Sequence, residues 1–183
     1  KYFVGSNIVL SVVGNVDRLH NLAEMRFSAI RKGPRADIAR YREPKRKKIE
    51  IKSEKRKTLN SYMVLGYLTE NRKHKDSYVL DVIRAILGRG QSGRMYDAIR
   101  GKEGLAYEVG VYHEAAKTYG FFGVYLNASK ENISRIIAII NKEFKLEGVS
   151  PTELAEAKTF IEGEAKIKAE DSHAVADQLG VWQ

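Results

Sequence analysis

The chain has 183 residues, 43% hydrophobic and 30% charged, which suits one soluble domain with a buried core. It has no cysteine, which excludes a disulfide framework and a thiolate metal site. No apolar run approaches the roughly 18 residues of a membrane span, and the opening KYFVGSNIVLSVVGNVD lacks a signal-peptide cleavage pattern, so a cytoplasmic location is favoured.

The first elements follow from periodicity. Ile8–Val13 is a short apolar run closed by Gly14-Asn15 and reads as a buried strand. Asp17 opens a helix with Leu19, Leu22, Ala23 and Phe27 on one face. The net charge of +9 is local to residues 31–57, which hold 13 Lys/Arg against 4 Asp/Glu. Gly33, Pro34 and Pro44 punctuate this run, and Tyr41 is its one aromatic. It therefore reads as a basic connection over residues 33–47. A phosphate-neutralising surface has little support there, because bases would have almost nothing to stack on.

Lys48–Lys52 alternates with period two, as a half-buried strand does. Leu59–Thr69 is a longer strand, with Tyr62, Val64, Gly66 and Leu68 on one face and Met63, Leu65 and Tyr67 on the other. Val79, Val82, Ile83, Ile86 and Leu87 form a helical stripe that stops at Gly88. A short helix over 94–100 follows. Leu105–Tyr112 and Gly120–Ala128 then read as a hairpin. Ser129 is a candidate cap for a helix carrying Ile133, Ile136, Ile137, Ile140 and Phe144. Ser150-Pro151-Thr152-Glu153 is a second start signal, with Ser150 as cap, Pro151 at the first helical position and Glu153 able to bond back. That helix runs toward Ala169, and Asp171–Leu179 continues as another. The order β-α-β-β-α-α-β-β-α-α implies an α+β fold: a mostly antiparallel sheet with helices packed on one face.

Most candidate sites dissolve on inspection. Gly88–Gly93 matches GxGxxG but follows a helix, so it reads as a helix–turn–helix connection and not as a dinucleotide loop. His113-Glu114-Ala115-Ala116-Lys117 is one residue from HExxH, but a protonated ammonium cannot ligate a metal. His20, His74 and His173 have no partner at ligand spacing and read as surface or boundary residues. Tyr119–Tyr125 is an aromatic strand, read as sheet packing and not as an RNA platform.

Arg100 and Tyr107 remain. Each follows a glycine-bearing turn, and a guanidinium and a phenol held there could both donate to one carbonyl oxygen. By spacing alone they also read as a surface helix-end cation and a core tyrosine. Strict alternation places Tyr107 with Leu105, Val109 and Val111 on the apolar face. A functional Tyr107 therefore needs a cavity at that face or a bulge that turns it.

Several ordered motifs resemble the C-terminal, non-zinc half of the M16 (pitrilysin-like, mitochondrial-processing-peptidase-like) metallopeptidases. Gly93-Arg94-Met95-Tyr96 and Ile99-Arg100-Gly101-Lys102-Glu103-Gly104-Leu105-Ala106-Tyr107 resemble its G-S-R-L-[FY]…[LI]-R-[ED]-x-x-G-L-A-Y signature. Tyr2 and Asn7 through Asp17 resemble its opening, Gly66-Tyr67 its L-G-[YF], and Val149 through Lys158 its late-helix start. The resemblance implies the LuxS/processing-peptidase-like metallohydrolase fold. It implies a single domain over 1–183, cut short at its C-terminal end.

It also implies the substrate-binding half of a zinc metalloendopeptidase. Arg100 and Tyr107 would bind peptide and stabilise the oxyanion, and zinc would sit in an N-terminal partner half, on the same chain or a separate subunit. No HxxEH occurs, so the chain is expected to bind no metal and not to be catalytic alone. The alternative is a non-catalytic scaffold relative of the same fold. A tyrosine suits the first role because a phenol, with an ordinary pKa of about 10, stays a donor at neutral pH.

Overall fold

A computed structural model describes residues 2–15, 17–37 and 48–182. The chain divides into two compact units, residues 1–45 with 164–183, and residues 46–163. Of the basic connection over 33–47, residues 38–47 lie outside the described residues.

In the first unit a tight turn at Gly5–Asn7 is tied to the segment that follows α1 (Leu19–Phe27). Gly5 N–H donates to the Arg31 carbonyl at 3.0 Å, the Ser6 hydroxyl to the Gly33 carbonyl at 2.7 Å, and Ala36 N–H to the Asn7 side chain at 2.7 Å. Val4, 6% exposed, fills the space a side chain at Gly33 would need. The helix begins two residues later than Asp17 suggests, after Arg18 in the left-handed region.

The expected strand over Ile8–Val13 does not form. These residues pair with no strand among the described residues, and Ile8, Val9, Leu10 and Val12 are 40–56% exposed. They line an open groove with Leu19, Ala23 and Leu179 instead. An apolar run signals a tendency to be buried, but a strand also needs a neighbour to take its backbone hydrogen bonds. α6 (Ser172–Val181) completes this unit, and Asp171 caps it by accepting from the His173 and Ala174 amides.

The second unit is built on a three-stranded antiparallel sheet of order β1-β3-β2, with β1 Ser61–Thr69, β2 Ala106–Ala115 and β3 Gly120–Ala128. Helices α2 (Asp76–Gly88), α3 (Arg94–Tyr96) and α4 (Ile133–Glu143) cover one face. The expected alternation of burial holds in β1 as far as Leu65, and Tyr67 stays 48% exposed. Met63, Leu65 and Tyr67 oppose Leu126, Val124 and Phe122 of β3, which are almost fully buried. Tyr62, Val64 and Leu68 look outward. Leu87, Met95, Ile99, Ile136 and Ile140 fill the layer between helices and sheet. Burying five such side chains supplies on the order of 1.5–3 kcal/mol each.

Two further segments depart from their sequence patterns. Lys48–Lys52 forms no strand, and Ile49 and Ile51 are 92% and 85% exposed. Its alternation pairs with no strand among the described residues. The Ser129 side chain makes no cap bond; a short turn at Lys130–Asn132 leads into α4, and Asn132 donates to the Leu105 carbonyl at 3.1 Å.

The start of α5 (Pro151–Glu170) keeps its cap, with the Glu153 amide donating to the Ser150 hydroxyl at 3.1 Å. The Glu153 carboxylate does not reach back, however, because Arg94 holds it. Among the described residues, no helix is long and apolar enough to cross a membrane.

Candidate peptide-binding site at a bulged strand

The glycine run joins α2 to α3, as its helix–turn–helix reading requires. Gly90 has φ +58°, a conformation that L side chains rarely adopt. A Cβ on Gly93 would lie 2.7–2.9 Å from backbone atoms of Leu87, Gly88 and Arg89. The helix end therefore folds back against its own backbone, and this close turn aims α3. Arg94 then fixes α3. Its guanidinium donates twice to Glu153, at 2.6 Å each, and once to the Glu147 carbonyl at 2.9 Å. Hydrogen bonding to Arg94 holds the Glu153 carboxyl below its ordinary range, against the opposing effect of burial.

α3 runs directly into a π-helical turn, Asp97–Gly101, closed by the Lys102 amide donating to the Asp97 carbonyl at 2.8 Å. Such turns recur at functional sites. Arg100 sits in this turn, exposed, its guanidinium carbon 5.3 Å from the centre of the Tyr96 ring. The chain then reverses. Gly104 N–H donates to the Arg100 carbonyl and Leu105 N–H to the Ile99 carbonyl, at 3.2 and 2.9 Å. This places the start of β2 beside the end of the turn.

The bulge that alternation demanded is present. Ala106 opposes Ala128 while Glu108 opposes Asn127, so Tyr107 is the extra residue. Both Ala106 and Val109 can then face the core, although they are three residues apart. Tyr107 is turned out of the core and is 63% exposed. Among the described residues, no hydrogen bond or ring contact joins Arg100 to Tyr107 directly. Tyr96 and Glu108 line a cavity of about 280 Å³ together with Gly88, Gly90, Gly110 and Tyr125, and neither Arg100 nor Tyr107 lines it.

Sequence reasoning missed a second polar cluster. His113 is fully buried, its Nδ1 2.7 Å from Asp81 Oδ1, and Asp81 also accepts from Arg72 at 2.5 and 3.3 Å. Burial pushes the Asp81 carboxyl up, but hydrogen bonds from Arg72 and His113 outweigh it and hold the carboxyl below its ordinary range. The nearly alternating β2 sequence could have flagged His113, since it shares the inward face with Val109 and Val111.

These residues do not fit zinc. The His113 imidazole is committed to Asp81 inside the core, and Lys117 stands where a second histidine would be needed. Among the described residues no three metal-ligating side chains converge. His20, His74 and His173 are exposed beside single local carboxylates.

Residues 1–160 match the peptidase M16 inactive domain. The chain is 25% identical, over 98% of its length, to an uncharacterized zinc protease of Streptomyces coelicolor, of which it covers 41%. It superposes on the crystal structure of a peptidase M16 inactive domain from Pseudomonas fluorescens with a TM-score of 0.73 at 26% identity, covering 97% of this chain and 43% of that one. A protease from Helicobacter pylori shares the fold, with a TM-score of 0.75 at 23% identity over 90% of this chain and 42% of that one. The chain thus spans about two-fifths of the length of the relatives it matches. The agreement of sequence, α+β fold and the Gly93–Tyr107 segment places this chain in the peptidase M16 inactive-domain family.

Proposed function

We propose that this chain is the substrate-binding half of an M16-type zinc metalloendopeptidase. The zinc site lies in the other half, whether fused or separate. In this reading Arg100 and Tyr107 hold the carbonyl oxygen of the bond to be cleaved and donate to it as negative charge develops. The observation that carries the reading is the bulge at Tyr107. An extra residue in a strand disrupts the ladder and is retained where it re-aims a side chain, and here it exposes a phenol that alternation would have buried. The π-helical turn does the same for Arg100, with the Tyr96 ring orienting its guanidinium. The chain has no HxxEH and in this reading cleaves nothing by itself.

The test uses the complete zinc-bearing protein. Tyr107→Phe and Arg100→Met are each expected to lower kcat/KM for a peptide by about 10²–10³, the usual loss for one oxyanion donor, with zinc content unchanged. Cleavage at the wild-type rate by both variants would rule out the oxyanion role, and no cleavage by the wild-type protein itself would support the non-catalytic scaffold reading.

A further inference from the structure

We propose that Asn132 is the positioning residue for Tyr107, fixing the start of the bulge so that the phenol is presented to the peptide carbonyl. The inference rests on the oxyanion reading above and adds to it a residue that touches neither substrate nor zinc.

The bulge needs an anchor on its N-terminal side. Pairing between β2 and β3 begins at Ala106, opposite Ala128, and Leu105 lies one residue outside it. Leu105 is buried, so its backbone groups need protein partners. Its N–H donates to the carbonyl of Ile99, the residue before Arg100, at 2.9 Å, and its carbonyl accepts from Asn132 Nδ2 at 3.1 Å. A carbonyl can only accept, so the amide nitrogen of Asn132 is the atom that faces it. Leu105 is thus held from both sides, by the turn that carries Arg100 and by the asparagine that precedes α4. The carbonyl that Asn132 holds belongs to the peptide bond entering Ala106, the residue before the bulged tyrosine, so a shift there passes directly to the phenol.

Asn132 is itself placed by β3. The chain leaves that strand at Ala128 and turns through Lys130–Asn132, with the Asn132 N–H donating to the Ser129 carbonyl at 3.0 Å. The strand end that pairs with Ala106 therefore also sets the side chain that holds Leu105. A second tie runs from α4 to the same turn, Arg135 to Glu103, but its side chains are 63% and 35% exposed and solvent screening leaves it little weight. Gly104, between the two ties, has φ +59° and is free to readjust once the Leu105 carbonyl is released. The half-buried Asn132 bond is the one that fixes the segment.

The test uses Asn132→Asp in the complete zinc-bearing protein. The carboxylate keeps the shape of the amide and has no donor at neutral pH. A small misplacement near the chemistry costs up to about 10²-fold, and here the phenol is displaced and not removed, so kcat/KM is expected to fall about tenfold, in kcat with KM nearly unchanged. In a Tyr107→Phe background the same substitution is expected to change kcat/KM by less than about twofold, because residues that act as a unit are not additive. With Tyr107→Phe impaired, equal losses in both backgrounds, or no loss in the wild-type background, overturn the assignment.

A readout without cleavage separates this role from the oxyanion role. Fluorotyrosine is placed in the same protein at Tyr107 alone, or at Tyr119 alone at the far end of the hairpin, and its fluorine NMR resonance is recorded with and without Asn132→Asp. A resonance that moves or broadens at Tyr107 and not at Tyr119 supports the positioning role even where Tyr107→Phe cleaves normally and the oxyanion reading has failed. An unchanged resonance at Tyr107, or equal changes at both tyrosines, overturns it even where Tyr107→Phe is inactive.

Discussion

Replacing Arg94 should loosen the whole segment that presents the candidate site. Its guanidinium makes two 2.6 Å bonds to Glu153 and one to the Glu147 carbonyl, with Glu143 3.9 Å away. Charged hydrogen bonds contribute about 1.5–3 kcal/mol each, and breaking a fully buried pair costs about 3–5 kcal/mol. Arg94 and Glu153 are 19% and 18% exposed, so solvent screens part of this. Arg94→Ala should therefore destabilise the protein by roughly 2–4 kcal/mol, lowering the melting temperature by about 4–16 °C for a chain of this size.

A double-mutant cycle with Glu153→Gln, read by urea unfolding followed by circular dichroism, should return a coupling of about 1.5–3 kcal/mol. The depressed Glu153 carboxyl fixes the pH dependence. Its contribution is fully present above the unfolded-state value of about 4.3 and is lost as pH falls through the lower folded value. The coupling should hold at pH 7 and shrink below pH 4. A coupling under about 0.5 kcal/mol at pH 7, the value of an exposed pair, would refute the clamp.

Other perturbations probe the turn and the buried histidine. Gly93→Ala places a Cβ against three backbone atoms that cannot swing aside; a melting temperature within 1–2 °C of wild type, where a loss of about 5–10 °C is expected, would contradict that geometry. The Asp81 carboxyl is held low by Arg72 and His113, so its stabilisation is present above about pH 3.9 and lost as pH falls through the lower folded value. Asp81→Asn should accordingly flatten part of the stability loss below about pH 4 in a melting series; an unaltered slope would show that this carboxylate is not linked to folding. His113→Phe removes the Asp81 partner and should destabilise by about 1–3 kcal/mol, measured by urea unfolding; a neutral result would mean that the buried imidazole makes no net contribution.

Local signals in the sequence read well where an element meets its partners within a few dozen residues. Apolar stripes located α2, α4 and the hairpin, and alternation assigned both faces of β1, because their partners lie in residues 61–146. Ile8–Val13 and Lys48–Lys52 carry equally good patterns but find no strand beside them among the described residues. Pattern encodes which side wants burial and not what covers it. Glu153 illustrates a competition: its capping-box position is genuine, but the Arg94 guanidinium offers two charged bonds in place of one amide. Arg100 and Tyr107 were legible as a motif. The exposure of Tyr107 depends on a bulge, which no periodicity shows, since one inserted residue is visible only as the three-residue spacing of Ala106 and Val109. His113 was hidden because Asp81 and Arg72 lie 32 and 41 residues away in sequence.

The oxyanion role of Tyr107 is tested most directly with a phosphinic peptide that mimics the tetrahedral intermediate, bound to the complete zinc-bearing protein. A donor that acts only as charge develops stabilises the intermediate and leaves substrate binding almost untouched. Tyr107→Phe should therefore weaken the phosphinate by about 10²-fold and lower kcat/KM by a similar factor, with little change in the affinity of an uncleaved substrate analogue. Unchanged phosphinate affinity in Tyr107→Phe, with zinc fully retained, would contradict the role assigned to the bulged tyrosine.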